Sequence, residues 1–188
     1  MGFPKALLKL NSETVIEMLL NEYENSNLSG TIVVLGAYRN KIESLIKKKF
    51  PGIKIAVNRD YKKEMFSSIQ TAISVINEDD AVLIGLVDHP FITKKIINQL
   101  IYEYEDGSIV ISAYKERKGH PIIIPLSLKD EILSMKAENH SLRDVISKHR
   151  DIVKIVEVDT DSILFDMDTP EKFEEAKEIW KKLKQKMQ

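Results

Sequence analysis

AVLIGLVDHPFI, residues 81–92, decides how the chain is read. Its first seven residues are apolar or glycine and show no alternation, the pattern of a strand buried on both faces of a sheet. Asp88, His89 and Pro90 follow at once. In a parallel α/β sheet, ligands bind beyond the carboxyl ends of the strands, so Asp88 is the first polar side chain to meet a cleft. A carboxylate there suits Mg²⁺, a hard cation that takes one or two carboxylates plus substrate phosphates. The alternative is a turn aspartate, because Asp and Pro both favour turns.

Outward from this stretch, two periods alternate. Short β-branched runs recur at 31–35, 53–57, 108–114 and 121–125, then in DIVKIVEV and SILFDM. Between the earlier ones lie stretches of helical spacing: 12–24, 40–50, 62–76 and 93–105. Thr14 and Glu17 have capping-box spacing, and Thr93 stands where it can cap the fourth helix. A final helix over 170–187 carries Phe173, Ala176, Trp180, Leu183 and Met187 as its apolar stripe. Glu171 in its first turn and Lys184 and Lys186 in its last match the helix dipole. The basic run Lys47, Lys48 and Lys49 reads as the exposed end of a helix for the same reason. Strand alternating with helix predicts a three-layer α/β domain: a mainly parallel, mixed sheet with helices on both faces. After residue 108 the strand-rich pattern predicts an antiparallel or mixed edge.

Composition bounds the function. The chain has 188 residues, 43% hydrophobic and 30% charged, with net charge −1 and no cysteine. One domain with a full core is expected. Near-neutral charge gives no general affinity for nucleic acid or acidic membranes. Disulfides, thiolate zinc sites and a cysteine nucleophile are excluded. No apolar run reaches the roughly 20 residues that cross a bilayer, and a soluble cytoplasmic protein is expected.

Other polar positions hold two readings each. Asp166 and Asp168 alternate in an extended segment and so face opposite ways; one can join Asp88 at a metal. Thr169 or Asp168 can equally cap the last helix, with Pro170 in its first turn. Gly119 permits close approach of backbone to a ligand, and His120 can contact substrate, act as acid or base, or be a surface histidine in a plain loop. His89, His140 and His149 have no metal-ligand spacing with His120 or with each other. Arg143 lies on a predicted helix, where it binds phosphate or is simply solvated. Gly36 is a lone glycine, not a dinucleotide fingerprint.

MGFPKALL, LVDHPFI, GHPIIIP and FDMDTPEKF, in that order and spacing, resemble the MobA-like nucleotidyltransferases, and among them the molybdenum-cofactor cytidylyltransferases. The resemblance covers essentially the whole chain. It implies a Rossmann-like nucleotide-diphospho-sugar transferase fold and Mg²⁺-dependent transfer of CMP from CTP to a phosphate acceptor such as molybdopterin, with release of pyrophosphate. It implies that Lys5 and Asp88 are catalytic and that Asp88 binds metal together with Asp166 or Asp168. Gly2, Lys5, Asn58 and Ser68 would contact the nucleotide; Gly119, His120, Pro121 and Arg143 would contact the acceptor. Molybdoenzyme maturation partners would follow.

The chain departs from the family at three places. The first strand and glycine-rich loop, LAAGxSxRMGxxK, are matched only at their end by MGFPK, so the single domain over 1–188 is expected to lack them. Met1 is then read as the methionine of RMG in a longer chain, and the strands flanking the missing one are expected to have unpaired edges. Glu64 replaces the glycine of the family's NxxxxxGMxxS loop. The acceptor segment GDxGAR is reduced to ENHSLRDVI, in which Arg143 survives. The alternatives are a transferase using GTP or a sugar or alcohol phosphate, or a degenerate, non-catalytic binder of nucleotide or cofactor.

Overall fold

A computed structural model describes residues 4–77 and 80–186. Gly2, Met187 and the side chains of Lys184 and Lys186 lie outside the described residues. The chain begins with a short 3-10 turn, Lys5–Leu7, and a two-stranded hairpin of β1 (Lys9–Leu10) and β2 (Glu13–Thr14). Then come α1 (Val15–Glu24), β3 (Ile32–Leu35), α2 (Arg39–Lys49), β4 (Lys54–Val57), α3 (Glu64–Ser74), β5 (Ala81–Ile84) and α4 (Lys94–Glu103). The second half holds β6 (Ile109–Tyr114), β7 (Arg117–Pro125), α5 (Lys129–Ser134), α6 (Leu142–Lys148), β8 (Val153–Glu157) and α7 (Pro170–Lys186).

The capping box forms as its spacing predicts: Thr14 N donates to the Glu17 carboxylate at 2.7 Å, and Glu17 N to Thr14 Oγ1 at 3.4 Å. Burial alone would raise the Glu17 carboxyl, but Lys49 at 2.5 Å and the Thr14 donors hold it down at about 2. Lys49 thus ties the end of α2 to the start of α1. Thr93 occupies the N-cap of α4 without a side-chain capping bond. Thr169, not Asp168, caps α7, accepting from Lys172 N at 3.2 Å.

The sheet is mixed. β3 and β4 pair in parallel, and a four-stranded sheet runs β5-β7-β6-β8, antiparallel at β5–β7 and β6–β7 and parallel at β6–β8. Alternation sorts its central strands between two layers. Val110 and Ile123 pack with Met18, Leu19, Ile97 and Leu100 on one face, while Ile109, Ile111, Ile122 and Ile124 pack with Phe66, Ile69, Ile73 and Ile132 on the other. α1 serves two cores at once. Val15, Met18 and Leu19 enter the first, and Ile16 and Leu20 join Leu35, Ile42 and Ile46 beneath the β3–β4 pair.

Two expectations are corrected. AVLIGLV is not one strand buried on both faces. β5 stops at Ile84, and all four of its residues are only half-buried. β5 ends the four-stranded sheet and β3 ends the two-stranded one, so among the described residues each is hydrogen-bonded on one side only, and the doubly covered strands are β6 and β7. Gly85 follows β5 in close contact with α1, where an added Cβ would lie 1.7 Å from the Tyr23 hydroxyl oxygen. SILFDM is not a strand either. Asp161–Leu164 form a 3-10 turn, because Thr160 caps Ser162 N at 3.2 Å and bends the chain there. No helix among the described residues is long and apolar enough to cross a membrane.

Candidate functional site

Lys5 is placed by its apolar neighbours. Ala6 and Leu7 pack into the core with Ile16 and Leu20, and Leu7 N and Leu8 N close the 3-10 turn onto Pro4 O and Lys5 O, both at 3.0 Å. The backbone is thereby held while the ammonium projects outward. It meets Asp88 Oδ2 at 3.2 Å and also donates to Asp168 Oδ1. Asp88 sits in the turn after β5, so the turn reading and the site reading of this residue are both satisfied. The segment carrying Asp168 is bound alongside through Met167 N to Asp88 O at 3.0 Å. Burial would lower the Lys5 pKa, but the bond to Asp168 and the charge of Asp88 leave it raised, and Lys5 in turn lowers Asp168. The lysine is therefore a full cation shared by two carboxylates.

Asp166 makes no hydrogen bond to Lys5. It is half-buried, and its charge, like those of Asp88 and Asp168, acts on His89. Among the described residues no three acidic or histidine side chains form a ready-made metal cluster. Asp88 and Asp168 nevertheless converge on one cationic point. Two hard carboxylates so placed fit a divalent ion that completes its shell with phosphate oxygens and water.

His89 and His120 meet with ring centroids 5.2 Å apart and ring planes inclined by 51°. The Ile163 carbonyl accepts from the His89 ring, and buried Nδ1 has no hydrogen-bond partner among the described residues. Burial lowers both imidazoles. In His120 the neighbouring His89 and the charge of Arg143 add to it, and the pKa falls to about 4. His120 is thus neutral at pH 7 and poorly matched to general-base work, which favours a pKa near the operating pH. Gly119 lies against the same carbonyl, 2.3 Å from where a Cβ would be built, so the absence of a side chain there lets β7 reach the 3-10 turn. Pro121 is buried, preceded by a cis peptide, and its carbonyl accepts from Ser112 Oγ at 3.0 Å. It supports the wall from behind.

Asn58 is buried, and its polar atoms are spent on its own loop. Nδ2 donates to Ser67 Oγ at 2.8 Å and to Ser68 Oγ at 3.0 Å, and Oδ1 accepts from Asp60 N at 2.8 Å. Asn58, Ser67 and Ser68 therefore shape the loop between β4 and α3. Ser67 escaped the sequence reading although it adjoins Ser68. Glu64, standing where a glycine was expected, has φ of 60°. That left-handed conformation disfavours any residue with a Cβ. Glu64→Gly is expected to stabilise the protein by about 0.5–1 kcal/mol, the αL relief less the added unfolded-state entropy. An unchanged urea midpoint would contradict this.

A cleft of about 1210 Å³ opens beside the histidine pair, lined by His89, Gly119, His120 and Arg143 and walled by Phe66, Ile84 and Leu142 among others. Asp88, which holds Lys5, is the residue before His89 in the chain, so the carboxylates stand beside the cleft. The structure thus joins Lys5 to Asp88 and Asp168 and sets His89 against His120, with the charge of Arg143 reaching His120, while Asn58 and Ser68 bond to each other in their own loop. His89 had only one signal in the sequence, its place next to Asp88.

The model of a MobA-like NTP transferase domain matches residues 1–153. No curated protein matches the chain. The fold is shared with a homologue of Mycobacterium tuberculosis Rv0371c from Mycobacterium sp. strain JC1, at TM-score 0.84 and 22% identity over 97% of this chain and 91% of that one. Rv0371c of M. tuberculosis H37Rv, solved in complex with manganese, matches at TM-score 0.81 and 19% identity over 94% and 93%. Molybdopterin-guanine dinucleotide biosynthesis protein A from Archaeoglobus fulgidus matches at TM-score 0.69 and 16% identity over 96% and 92%.

Proposed function

The chain belongs to the MobA-like NTP transferase domain family, and from that premise we propose that it transfers CMP from CTP to the phosphate of an acceptor of the molybdopterin class, with a divalent ion, Mg²⁺ first among them. The observation that carries this is the Lys5 ammonium shared by Asp88 and Asp168. In the reaction an acceptor phosphate oxygen forms a bond to the α-phosphorus, the bond from that phosphorus to the bridging oxygen breaks, and pyrophosphate leaves with the electron pair. Asp88 and Asp168 would hold the metal, which supplies neutralisation of the triphosphate. Lys5 then turns from the carboxylates to the phosphates and stabilises the departing charge. His120, neutral with a pKa of about 4, contacts the acceptor. No strong base is required, because a phosphate monoester is already anionic near neutral pH. That Rv0371c was solved in complex with manganese supports a divalent ion here.

The test is a thermal-shift panel of CTP, GTP, ATP and UTP, each with Mg²⁺ or with chelator. A ligand at 100 times its Kd adds about 2.7 kcal/mol, or roughly 5–10 °C for a chain of this size. A Mg²⁺-dependent shift with CTP alone is expected. A shift with GTP alone moves the base assignment, and none with any nucleotide refutes the reading.

A further inference from the structure

The β6–β7 hairpin turns at Lys115 and Glu116, both in the left-handed region with φ of 48° and 66°. This is the two-residue turn that suits the twist of a hairpin, although it normally selects Asn or Gly. What holds it here is β8: the Glu157 carboxylate accepts from Lys115 N at 3.0 Å and from Glu116 N at 3.1 Å. A carboxylate from a neighbouring strand has thus been committed wholly to the backbone of an exposed tip. The register then sets Arg117 opposite Tyr114 and Lys118 opposite Ala113, immediately before Gly119 and His120.

Arg117 and Lys118 both line the cleft, and so does Arg143, whose charge reaches His120. None of the three has an ion-pair partner among the described residues, whereas Arg39, Lys148 and Lys154 are all paired. The cleft's own acids do not answer them. Glu138 bonds to Lys63, and Asp144 accepts from Ser141 N at 2.7 Å; only Glu64 is uncommitted. These three cations, with Arg150 beside them donating to Ser147 Oγ at 2.9 Å, line a partly apolar cleft and describe a site for a ligand with an apolar body and an anionic group, the guanidinium fork being suited to phosphate oxygens.

We propose that Arg117 and Lys118, presented by the Glu157-locked hairpin and completed by Arg143, form an anion clamp that binds the phosphate end of the acceptor. This rests on the transferase reading for the word acceptor, but the clamp itself is tested without catalysis. The probe is flavin mononucleotide, a planar heteroaromatic phosphate monoester, with riboflavin as its uncharged counterpart, both followed by flavin fluorescence on the full chain. Wild type is expected to bind the phosphorylated flavin more tightly. Arg117→Ala with Lys118→Ala should weaken it about tenfold or more, the loss of charge-assisted bonds, and bring it level with riboflavin. Arg117→Lys with Lys118→Arg should retain most of the affinity, which a purely structural role would not predict. The CTP thermal shift should be unaffected in either variant. If wild type does not distinguish the two flavins, or the double alanine variant still does, the clamp is refuted. Loss of the nucleotide shift in wild type with the clamp intact refutes the transferase reading alone.

Discussion

Asp88→Asn is expected to abolish Mg²⁺-dependent nucleotide binding and to lower nucleotidyl transfer at least about a hundredfold, the usual consequence of removing a charge that acts on the reacting centre. Asparagine keeps the shape of the turn and the Met167 N to Asp88 O bond, which belongs to the backbone. It loses the ionic bond with Lys5, whose side chain and that of Asp88 are 28% and 24% exposed, so the stability change is small, at most about 1 kcal/mol. The melting temperature therefore stays within about 4 °C of wild type. Asp168→Asn should have the same effect on binding, since Asp168 shares the Lys5 cation. Asp166→Asn should not, because Asp166 makes no bond to Lys5. Calorimetric titration of CTP with and without Mg²⁺ separates the three variants. Unchanged binding in Asp88→Asn would remove it from the site, and a larger loss in Asp166→Asn than in Asp168→Asn would invert the assignment.

The second large effect is on stability and reaches function through it. Gly119→Ala drives a Cβ to 2.3 Å from the Ile163 carbonyl oxygen. The obstacle is backbone, so a side-chain rotation cannot relieve it; β7 or the 161–164 turn has to move. Overpacking of this kind costs about 1–3 kcal/mol, which lowers the melting temperature by roughly 3–10 °C. The same displacement disturbs the carbonyl that orients His89 and the segment that carries Asp168, so nucleotide binding weakens as well. Gly52→Ala is the control. Nothing lies within 4 Å of its added Cβ and its φ is not positive, so its urea midpoint should equal wild type or slightly exceed it, through the lower entropy of the unfolded chain. If Gly119→Ala unfolds at the same midpoint as Gly52→Ala, the close approach of β7 to the turn is not a constraint on this protein.

Much of the fold was legible because helix and strand periods are local. Thr14 and Glu17 are three residues apart and cap one helix whatever surrounds them. Residues 93–105 show the 3.6-residue period, and α4 forms within them with Ile96, Ile97 and Leu100 buried. Burial was harder to read. AVLIGLV is the most uniformly apolar run, yet β5 is half-exposed and the shorter PIIIP run lies in the doubly covered β7. An apolar run states what a strand tolerates on each side, whereas its position in the sheet depends on which other strands pair with it.

The site divides along the same line. From the sequence alone came most of the element types, though not the turn at SILFDM, the α/β class, and the residues with charge to offer: Lys5, Asp88, Asp166, Asp168, His120 and Arg143. Only the tertiary structure selected among them. It joined Lys5 to Asp88 and Asp168 across 83 and 163 residues, left Asp166 outside, and placed His89 against His120. It also turned the Ile163 carbonyl toward the His89 ring and committed Glu157 to the hairpin turn, roles that residue type does not announce. The physical reason is range. Periodicity and capping act over a few residues and are written in the order of the chain, but a shared proton or a paired charge acts over about 3 Å in space, and that distance exists only once the strands have taken their places.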